Sequence, residues 1–259
     1  MPDSDKHSHS YQRIALISDI HGNLPALEAV YRHAVQFGAS IFLNAGDTVG
    51  YGPFPNECLN FLRSHHIISV IGDYDLKVLR YPEKADKYKK HKNALRVLSF
   101  QWAYDQLSEK NLQYLQQLPL FREMVFAEKT FYLTHGAPLN IKTHLGSLTS
   151  GQEWRDNQRK AGTDFIITGN SHHFWKEKVA NSNFINPGSV GRQDDGDPRA
   201  SYVILSIGRF IQINRFRVAY ELPPLINKLQ AYNLPTQFVY MFKNGVNLEQ
   251  ALEELSQDY

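Results

Sequence analysis

The sequence is short of cysteine and of long apolar runs. Its one cysteine, Cys58, leaves no internal disulfide to form, which is typical of a protein from a reducing compartment. We interpret Cys58 as a small buried hydrophobic residue. No run of about 18 apolar residues occurs, so no membrane span is expected. The first ten residues are polar and do not fit a signal peptide. Together these absences predict a cytoplasmic protein.

The sequence also lacks an excess of charge of either sign. It has 28 lysine and arginine residues against 26 aspartate and glutamate residues, which gives a formal net charge of +2. A protein that holds nucleic acid needs a basic surface to bind the polyanion. The near-neutral charge therefore disfavours nucleic acid as the main partner and disfavours a nuclease.

No repeat, low-complexity tract or linker divides the chain. With 42% hydrophobic residues, a chain of 259 residues can bury a core on both faces of a sheet. We expect one domain over residues 11–220 and a disordered polar tail over residues 1–10. A helical extension over residues 221–259 is expected to pack on the domain or to form the contact of a homo-oligomer.

Apolar runs alternate with amphipathic segments in the first part of the chain. The runs 13–18, 41–45 and 67–71 predict strands, and Asn23 can cap a helix that follows the first of them. A second helix is predicted from about Pro55 to His65. Strands and helices that alternate in this way predict a parallel sheet, and hence an α/β fold.

The rest of the chain follows a different pattern. Residues 75–118 are predicted to be helical, and residues 121–136 to form two strands around a turn. The segments "DFIITG", "WKEKVANSNFINPG" and "ASYVILSIGRFIQINRFRV" alternate and turn like antiparallel hairpins. Ser150 and Glu153 have the spacing of a capping box at the start of a helix. Two or three short helices are predicted at the end of the chain.

Metal-ligand side chains follow the predicted strands, mostly beside a glycine. Two of them, Asp19 and His21, stand two residues apart, so we expect their side chains to point to the same side. Open α/β sheets bind ligands beyond the carboxyl ends of their strands. Imidazole and carboxylate groups together are ligands for Mn, Fe or Zn. The sequence therefore predicts a metal site formed by Asp19, His21, Asp47, His135 and His172.

Five segments, "SDIHGN", "AGD", "GDYD", "LTHG" and "GNSHH", occur in the order and spacing of the calcineurin-like metallophosphoesterases. The segment "INPGSVGRQDDGDPRASYVIL" is similar to the sequence that closes the small bacterial branch of that superfamily, and the resemblance spans about residues 12–220. It implies a four-layer α-β-β-α sandwich of two mixed sheets flanked by helices. It also implies two divalent metal ions, which would be Mn, Fe, Zn, Ni or Mg. The implied reaction is hydrolysis of phosphomonoesters or phosphodiesters by attack of a metal-bound hydroxide.

The resemblance also assigns ligands by position. It implies that Asp47 is catalytic in the sense that it bridges the two metals. The second metal would use Asp47, His135 and two positions where the family normally has Asn and His. The first metal would be held by Asp19, His21, Asp47 and His172.

At three positions this sequence departs from the family pattern. Asp73 and Tyr74 stand where the third motif normally has Asn and His, and Asn170 replaces the first His of the last motif. Asp73 and Asn170 still offer oxygen ligands, which favours Mn, Mg or Ca over Zn at the second site. Tyr74 either donates to the phosphate or leaving group, or fills the vacated space. A second function stays open, a catalytically degenerate member that binds metal and a phosphorylated ligand or protein without turnover.

Four more residues are candidates for binding a small phosphorylated substrate. Tyr51 follows Asp47 in a loop rich in glycine and proline. Ser189 lies in a glycine-containing segment whose backbone could donate to phosphate. Arg192 and Arg199 could pair with the phosphate, although surface arginines are usually solvated.

Overall fold

The structure is a computed structural model that describes residues 11–256; the predicted tail over residues 1–10 lies outside the described residues. In the described part of the chain, two mixed five-stranded sheets are flanked by ten helices. This architecture confirms the predicted α/β sandwich. The strands are β1 (Gln12–Ile17), β2 (Ile41–Asn44), β3 (Ile68–Ser69), β4 (Phe121–Phe126), β5 (Lys129–Thr134), β6 (Phe165–Ile167), β7 (Phe174–Val179), β8 (Ser182–Pro187), β9 (Ala200–Ile207) and β10 (Ile211–Val218).

The helices account for most of the remaining chain. They are α1 (Leu24–Gln36), α2 (Pro55–Ser64), α3 (Asp73–Leu79), α4 (Tyr81–His91), α5 (Ala94–Gln106), α6 (Glu109–Gln117), α7 (Gly151–Ala161), α8 (Leu222–Ala231), α9 (Thr236–Asn244) and α10 (Leu248–Ser256). Two predicted caps are confirmed. Asn23 accepts the Ala26 N–H at the start of α1, and Ser150 and Glu153 form a capping box at the start of α7.

The first sheet has the strand order β10-β9-β1-β2-β3, and β1, β2 and β3 are parallel as predicted. Strand β9 runs antiparallel to β1 and forms a hairpin with β10. Strand β3 is shorter than the predicted 67–71. The N–H of Val70 still donates to the carbonyl of Asn44 in β2, but the chain then leaves the sheet, because the N–H of Ile71 donates to the carbonyl of Pro119.

The second sheet has the strand order β4-β5-β6-β8-β7. The hairpins β4–β5 and β7–β8 are antiparallel as predicted. The antiparallel prediction is wrong for β6, which runs parallel to both β5 and β8. A three-residue buried strand has the same apolar pattern in either direction. Its direction is set by α7, which connects β5 to β6 as a crossover helix.

The core lies between the two sheets and beneath the helices. Ile14 and Leu16 on one face of β1 pack against residues of the second sheet, such as Phe131 and Phe165. The opposite face of β1, with Ala15 and Ile17, packs against α1. Both faces of β1 are therefore buried, so the end of this strand is held rigidly where the polar residues begin.

The C-terminal helices α8, α9 and α10 share an apolar cluster with Tyr51, whose ring lies 5.2 Å from that of Phe238. Residues 75–118, predicted to be helical, form most of α3 and all of α4, α5 and α6. The helical region begins earlier than predicted, because Asp73 is already the first residue of α3. Among residues 11–256 no helix has the length and apolar character needed to cross a membrane.

Candidate metal centre

Five buried aspartate and histidine side chains meet where the strands end. Asp19, His21 and His172 each place a ligand atom within 4.8 Å of the others, and so do Asp19, Asp47 and His135. Asp19 belongs to both groups, and all five side chains are buried. These are the five residues for which the sequence predicts a shared metal site, and the structure places them side by side.

The ligand atoms are close enough to share cations. Nε2 of His172 lies 3.4 Å from Oδ1 of Asp19 and 3.2 Å from Nε2 of His21. Oδ2 of Asp47 lies 3.3 Å from Nε2 of His135 and 3.8 Å from Nε2 of His21. Because this oxygen faces a histidine of each group, Asp47 is placed to contact cations at both positions, as in a two-metal site.

The backbone that carries these ligands is strained. Asp19, His21, Asp47, Asn170 and His172 all have positive φ angles, from 48° to 72°. Left-handed conformations cost a residue other than glycine of the order of 1 kcal/mol or more, and they cluster at functional sites. They also show that Asp19 and His21 reach one site, as predicted, for a reason other than the one predicted. Strand β1 ends at Ile17, and a tight loop, rather than strand alternation, brings both side chains to the site.

The ring of His135 shows that the donor set fits a cation. Its Nδ1 donates to the carbonyl of Ala45 over 2.8 Å, so in the neutral ring Nε2 carries no proton and faces Asp47 with its lone pair. This buried Nε2 has no hydrogen-bond partner among the described residues. A buried polar atom without a partner is costly. A divalent cation between Nε2 and the neighbouring carboxylates would satisfy it, and imidazole with carboxylate suits Mn, Fe or Zn.

The buried side chains of the site have pKa values that differ from their usual ones, and this links the binding of metal ions to the binding of protons. Burial raises the pKa of Asp47. Although burial disfavours a charged ring, the Asp47 carboxylate raises the pKa of His135 to about 10. Burial and Arg192 lower the pKa of His172, but Asp194 and Asp19 outweigh them and raise it to about 9. Protons and cations thus compete for the same atoms, so metal binding is expected to release protons.

The altered family positions lie around the second group of ligands. Oδ1 of Asp73 is 3.9 Å from Nε2 of His135, while its other carboxylate oxygen pairs with Lys77. The N–H of Asn170 donates to the carboxylate of Asp19 over 3.1 Å. The side-chain nitrogen of Asn170 donates to the carbonyl of Ile141. Asp73 is therefore within reach of a cation at His135, whereas Asn170 also holds the loop that carries His172.

Tyr74 lies at the site but is held by other contacts. Its ring stands edge-on to His21 with centroids 5.1 Å apart, and its hydroxyl lies 3.0 Å from the hydroxyl of Tyr51. Its N–H donates to Oδ1 of Asp47 over 2.8 Å. Burial raises the pKa of its phenol well above 10, which makes it a weaker acid. A catalytic Tyr74 stays a prediction, and the contacts favour a residue that fills space beside His21.

Asp75 was missed by the sequence reasoning, although it completes the quoted "GDYD". Its Oδ1 accepts the N–H groups of Thr48 and Val49, and its Oδ2 accepts the N–H of Gly72. Burial, reinforced by the charge of Asp47, raises its pKa to about 7. Asp75 therefore ties the loop after β2 to the start of α3. An acidic residue three positions after a helix N-cap is a detectable sign of this role.

We expect Asp75→Asn to lower the free energy of unfolding by about 1–3 kcal/mol, because the amide nitrogen would face the N–H of Gly72 and leave that buried donor without an acceptor. Urea denaturation measures the change. Asp105→Asn, at an exposed position of α5, is the matched control and should alter stability by less than about 0.5 kcal/mol. Equal stability of the Asp75 variant and the control would contradict the structural role.

Two of the predicted substrate-binding residues form one network behind His172. The guanidinium of Arg192 is buried, and one of its nitrogens lies 3.0 Å from Nδ1 of His172. It also lies 5.0 Å above the ring of Tyr51. Asp194, which sequence reasoning missed, places Oδ2 at 3.2 Å from the same Nδ1. Although burial opposes it, Arg192 and His172 hold the pKa of Asp194 well below its usual range, so its carboxylate is charged and orients His172.

The other two predicted substrate-binding residues have structural contacts. The hydroxyl of Ser189 donates to the carbonyl of Asp19 over 2.7 Å and accepts the N–H of Arg192. Ser189 thus holds the loop that carries Asp19. Arg199 is exposed and pairs with Asp197 over 2.7 Å. Its hydrogen bonds do not reach the five clustered ligands, so the structure does not bring Arg199 together with them.

The comparisons with known proteins agree with this geometry. The calcineurin-like phosphoesterase superfamily domain matches residues 13–209, a span that contains all five clustered ligands. The chain belongs to this superfamily. The matched residues include the strands from β1 to β9 and leave β10, α8, α9 and α10 outside.

Relatives of this superfamily member cover most of its chain. An uncharacterized protein of Methanocaldococcus jannaschii is 33% identical over 239 residues, which is 86% of this chain and 93% of the relative. The crystal structure of a metallophosphoesterase from Sphaerobacter thermophilus is 28% identical with a TM-score of 0.73, and covers 92% of this chain and 100% of its own. A hypothetical protein from Pyrococcus horikoshii OT3 has a TM-score of 0.80 at 16% identity over 90% of this chain and 98% of its own, which shows the fold alone.

Proposed function

We propose that this protein is a metal-dependent phosphoesterase that hydrolyses phosphomonoesters or phosphodiesters of a small substrate. The observation that carries the proposal is the pair of buried ligand groups that share Asp19, with Oδ2 of Asp47 facing a histidine of each group and Nε2 of His135 lacking a partner. The alternative is a degenerate member that binds metal and a phosphorylated ligand or protein without turnover, and the hydrolysis assay below distinguishes it from the enzyme. The single cysteine of this chain fits a cytoplasmic setting.

Divalent cations held by these residues would activate water and neutralise the charge of the phosphate. The protein supplies the rest of the site. Asp47 and Asp19 place negative charge between the two positions, and His135 is fixed by its bond to Ala45. Asp194 and Arg192 orient His172 from behind. Because these groups are already in place, little reorganisation would be needed when charge develops on the phosphate.

The proposal is tested by treating the protein with a chelator and then measuring hydrolysis of an aryl phosphomonoester and an aryl phosphodiester with added Mn²⁺, Fe²⁺, Ni²⁺, Zn²⁺ or Mg²⁺. We expect activity with at least one of these ions and binding of about two ions per chain. No metal-dependent hydrolysis with any of them would contradict the proposal.

Two neighbouring histidines provide a matched pair of variants. His172→Ala should lower metal-dependent hydrolysis at least about a hundredfold, because it removes a buried ligand of the first group. His173→Ala removes an exposed ring from the next position and should leave the rate within about twofold. Equal rates for the two variants would exclude His172 as a ligand.

A further inference from the structure

A basic cavity lies beside the candidate metal centre. It has a volume of about 350 Å³ and lies between α3, α4, the segment that follows α4, and the loop after β5. Six of the residues that line it are cationic, and one, Asp73, is acidic. The six cations are Lys77, Arg80, Lys84, Lys87, Lys92 and Lys142.

Helical periodicity explains why these cations converge. Arg80, Lys84 and Lys87 are spaced four and three residues apart and so lie on one face of α4, beginning at its N-cap. The two carboxylates of the same helix, Glu83 and Asp86, do not line the cavity. Lys89 and Lys90 do not line it either, so the excess of positive over negative charge on α4 lies on the face that borders the cavity.

This charge is not balanced by the protein. Lys77 pairs with Asp73, but within residues 11–256 the other five cations form no salt bridge. Burial, together with the like charges of Lys77 and Arg96, lowers the pKa of Lys92. The ring of Tyr74 contacts one of these cations, because Nζ of Lys77 lies 4.4 Å from its centroid. An anion in the cavity would relieve the repulsion.

The cavity shares a residue with the metal centre. Asp73 lines the cavity, and its Oδ1 lies 3.9 Å from Nε2 of His135, whose other neighbour is Asp47. A ligand with one phosphate at the metal centre therefore has its next charged group beside the six cations. A single phosphate ester with a neutral alcohol would leave them without a counterion.

We propose that this cavity is a second anion subsite and that the substrate is an oligophosphate, with at least one phosphate group beyond the one that is hydrolysed. The position of the hydrolysed phosphate rests on the proposed function. With an oligophosphate the bond hydrolysed is a phosphoanhydride: the oxygen of water bonds to the phosphorus at the metal centre and loses a proton, and the bond from that phosphorus to the bridging oxygen breaks. The phosphate in the cavity departs with the bridging oxygen and its electron pair and takes up a proton.

Binding of inorganic tripolyphosphate tests the subsite without turnover. Calorimetry is carried out on the full chain after a chelator has removed the metal and dialysis has removed the chelator. We expect saturable binding of about one tripolyphosphate per chain, tighter than that of orthophosphate. The double variant Lys84→Gln, Lys87→Gln should bind about tenfold more weakly or worse, because two charge-assisted contacts are lost.

A second pair of lysines on the same helix is the matched control. Lys89 and Lys90 do not line the cavity, and Lys89→Gln, Lys90→Gln removes the same charge from α4. This control should change the affinity less than about threefold. Equal weakening by both double variants would mean that only the overall charge of α4 affects binding, and it would overturn the proposal. The absence of saturable binding in the native protein would overturn it as well.

Kinetics with the active metal separate failure of the subsite from failure of the proposed function. If the aryl monoester is hydrolysed and the Lys84, Lys87 variant raises KM for tripolyphosphate alone, the subsite is supported. If the aryl ester is hydrolysed but KM for tripolyphosphate is the same in all variants, the subsite is wrong and the function stands. If neither is hydrolysed but calorimetry gives the expected difference, the function is wrong and the anion subsite stands.

Discussion

The variant Asp47→Asn should lose at least about a hundredfold of metal-dependent phosphoesterase activity while it remains folded. Oδ2 of Asp47 lies within 3.8 Å of a histidine of each ligand group, so one substitution weakens both cation positions. Each factor of ten in rate corresponds to about 1.4 kcal/mol of barrier. The loss of one charged oxygen that faces both cations is expected to remove at least twice that amount.

The same substitution should cost the metal-free protein little stability. Asparagine keeps an oxygen to accept the N–H of Tyr74, which donates to Oδ1 of Asp47 over 2.8 Å. The ring of His135, whose pKa is raised by Asp47, can become neutral and needs no partner charge. We therefore expect the free energy of unfolding to change by no more than about 1 kcal/mol without metal.

Thermal denaturation with and without Mn²⁺ measures this difference. A ligand present at a hundred times its Kd stabilises the native state by about 2.7 kcal/mol. The native protein should therefore show a rise in Tm on addition of Mn²⁺ that Asp47→Asn largely lacks. A variant that keeps both the activity and the shift in Tm would exclude Asp47 as a bridging ligand. Unfolding of the metal-free variant would mean that Asp47 has a structural role.

The positions of the ligands could be predicted from sequence because the rule that places them is topological. Parallel strands present their carboxyl ends at one edge of a sheet, so Asp19 after β1 and Asp47 after β2 had to approach one another once the strands were identified. His135 follows β5 of the second sheet, and the packing of the two sheets brings it to Asp47. The detailed geometry could not be predicted in this way. Positive φ angles at Asp19 and His21 depend on contacts with the loop after β2, such as the bond from the His21 N–H to the Asp47 carbonyl.

The features that could not be predicted from sequence are those formed by segments that lie far apart in the chain. In the sequence, Asp75 belongs to a predicted strand end. In the structure its carboxylate joins two loops by accepting the N–H groups of Thr48 and Gly72, which are 24 residues apart in the chain. The basic cavity combines α4 with Lys142, which comes from the far side of β5. The overall charge of +2 conceals this local excess, because charge averaged over a chain does not show where it is concentrated.

The variant Gly72→Ala should destabilise the protein by at least about 2 kcal/mol and lower its metal-dependent activity. A Cβ at Gly72 would lie 2.0 Å from Oδ1 of Asp47 and 2.2 Å from its backbone nitrogen. The nitrogen belongs to a buried loop that cannot rotate aside as a long side chain can. An overpacked core costs about 1–3 kcal/mol, and more where backbone must move.

The substitution Gly72→Ala is expected to affect activity as well as stability, because Gly72 packs against the loop that carries Asp47. Gly46 approaches the same segment, because a Cβ at Gly46 would lie 2.7 Å from the nitrogen of Gly72. The loops after β2 and β3 are therefore in direct contact, and an added methyl group at Gly72 would force one loop to shift against the other and change the position of Asp47 relative to Gly72. Gly151→Ala, whose Cβ would meet nothing closer than 3.4 Å at the first position of α7, is the control and should leave stability and activity within error.

Urea denaturation and hydrolysis of an aryl phosphate measure the two effects on the same samples. If Gly72→Ala were as stable as Gly151→Ala, the contact between the two loops would be looser than the structure shows. A destabilised variant that kept full activity below its unfolding transition would mean that Asp47 can shift without loss of the cations. We expect a joint loss because Gly72 packs against Oδ1 and the backbone nitrogen of Asp47, and the other carboxylate oxygen of the same residue faces both ligand groups.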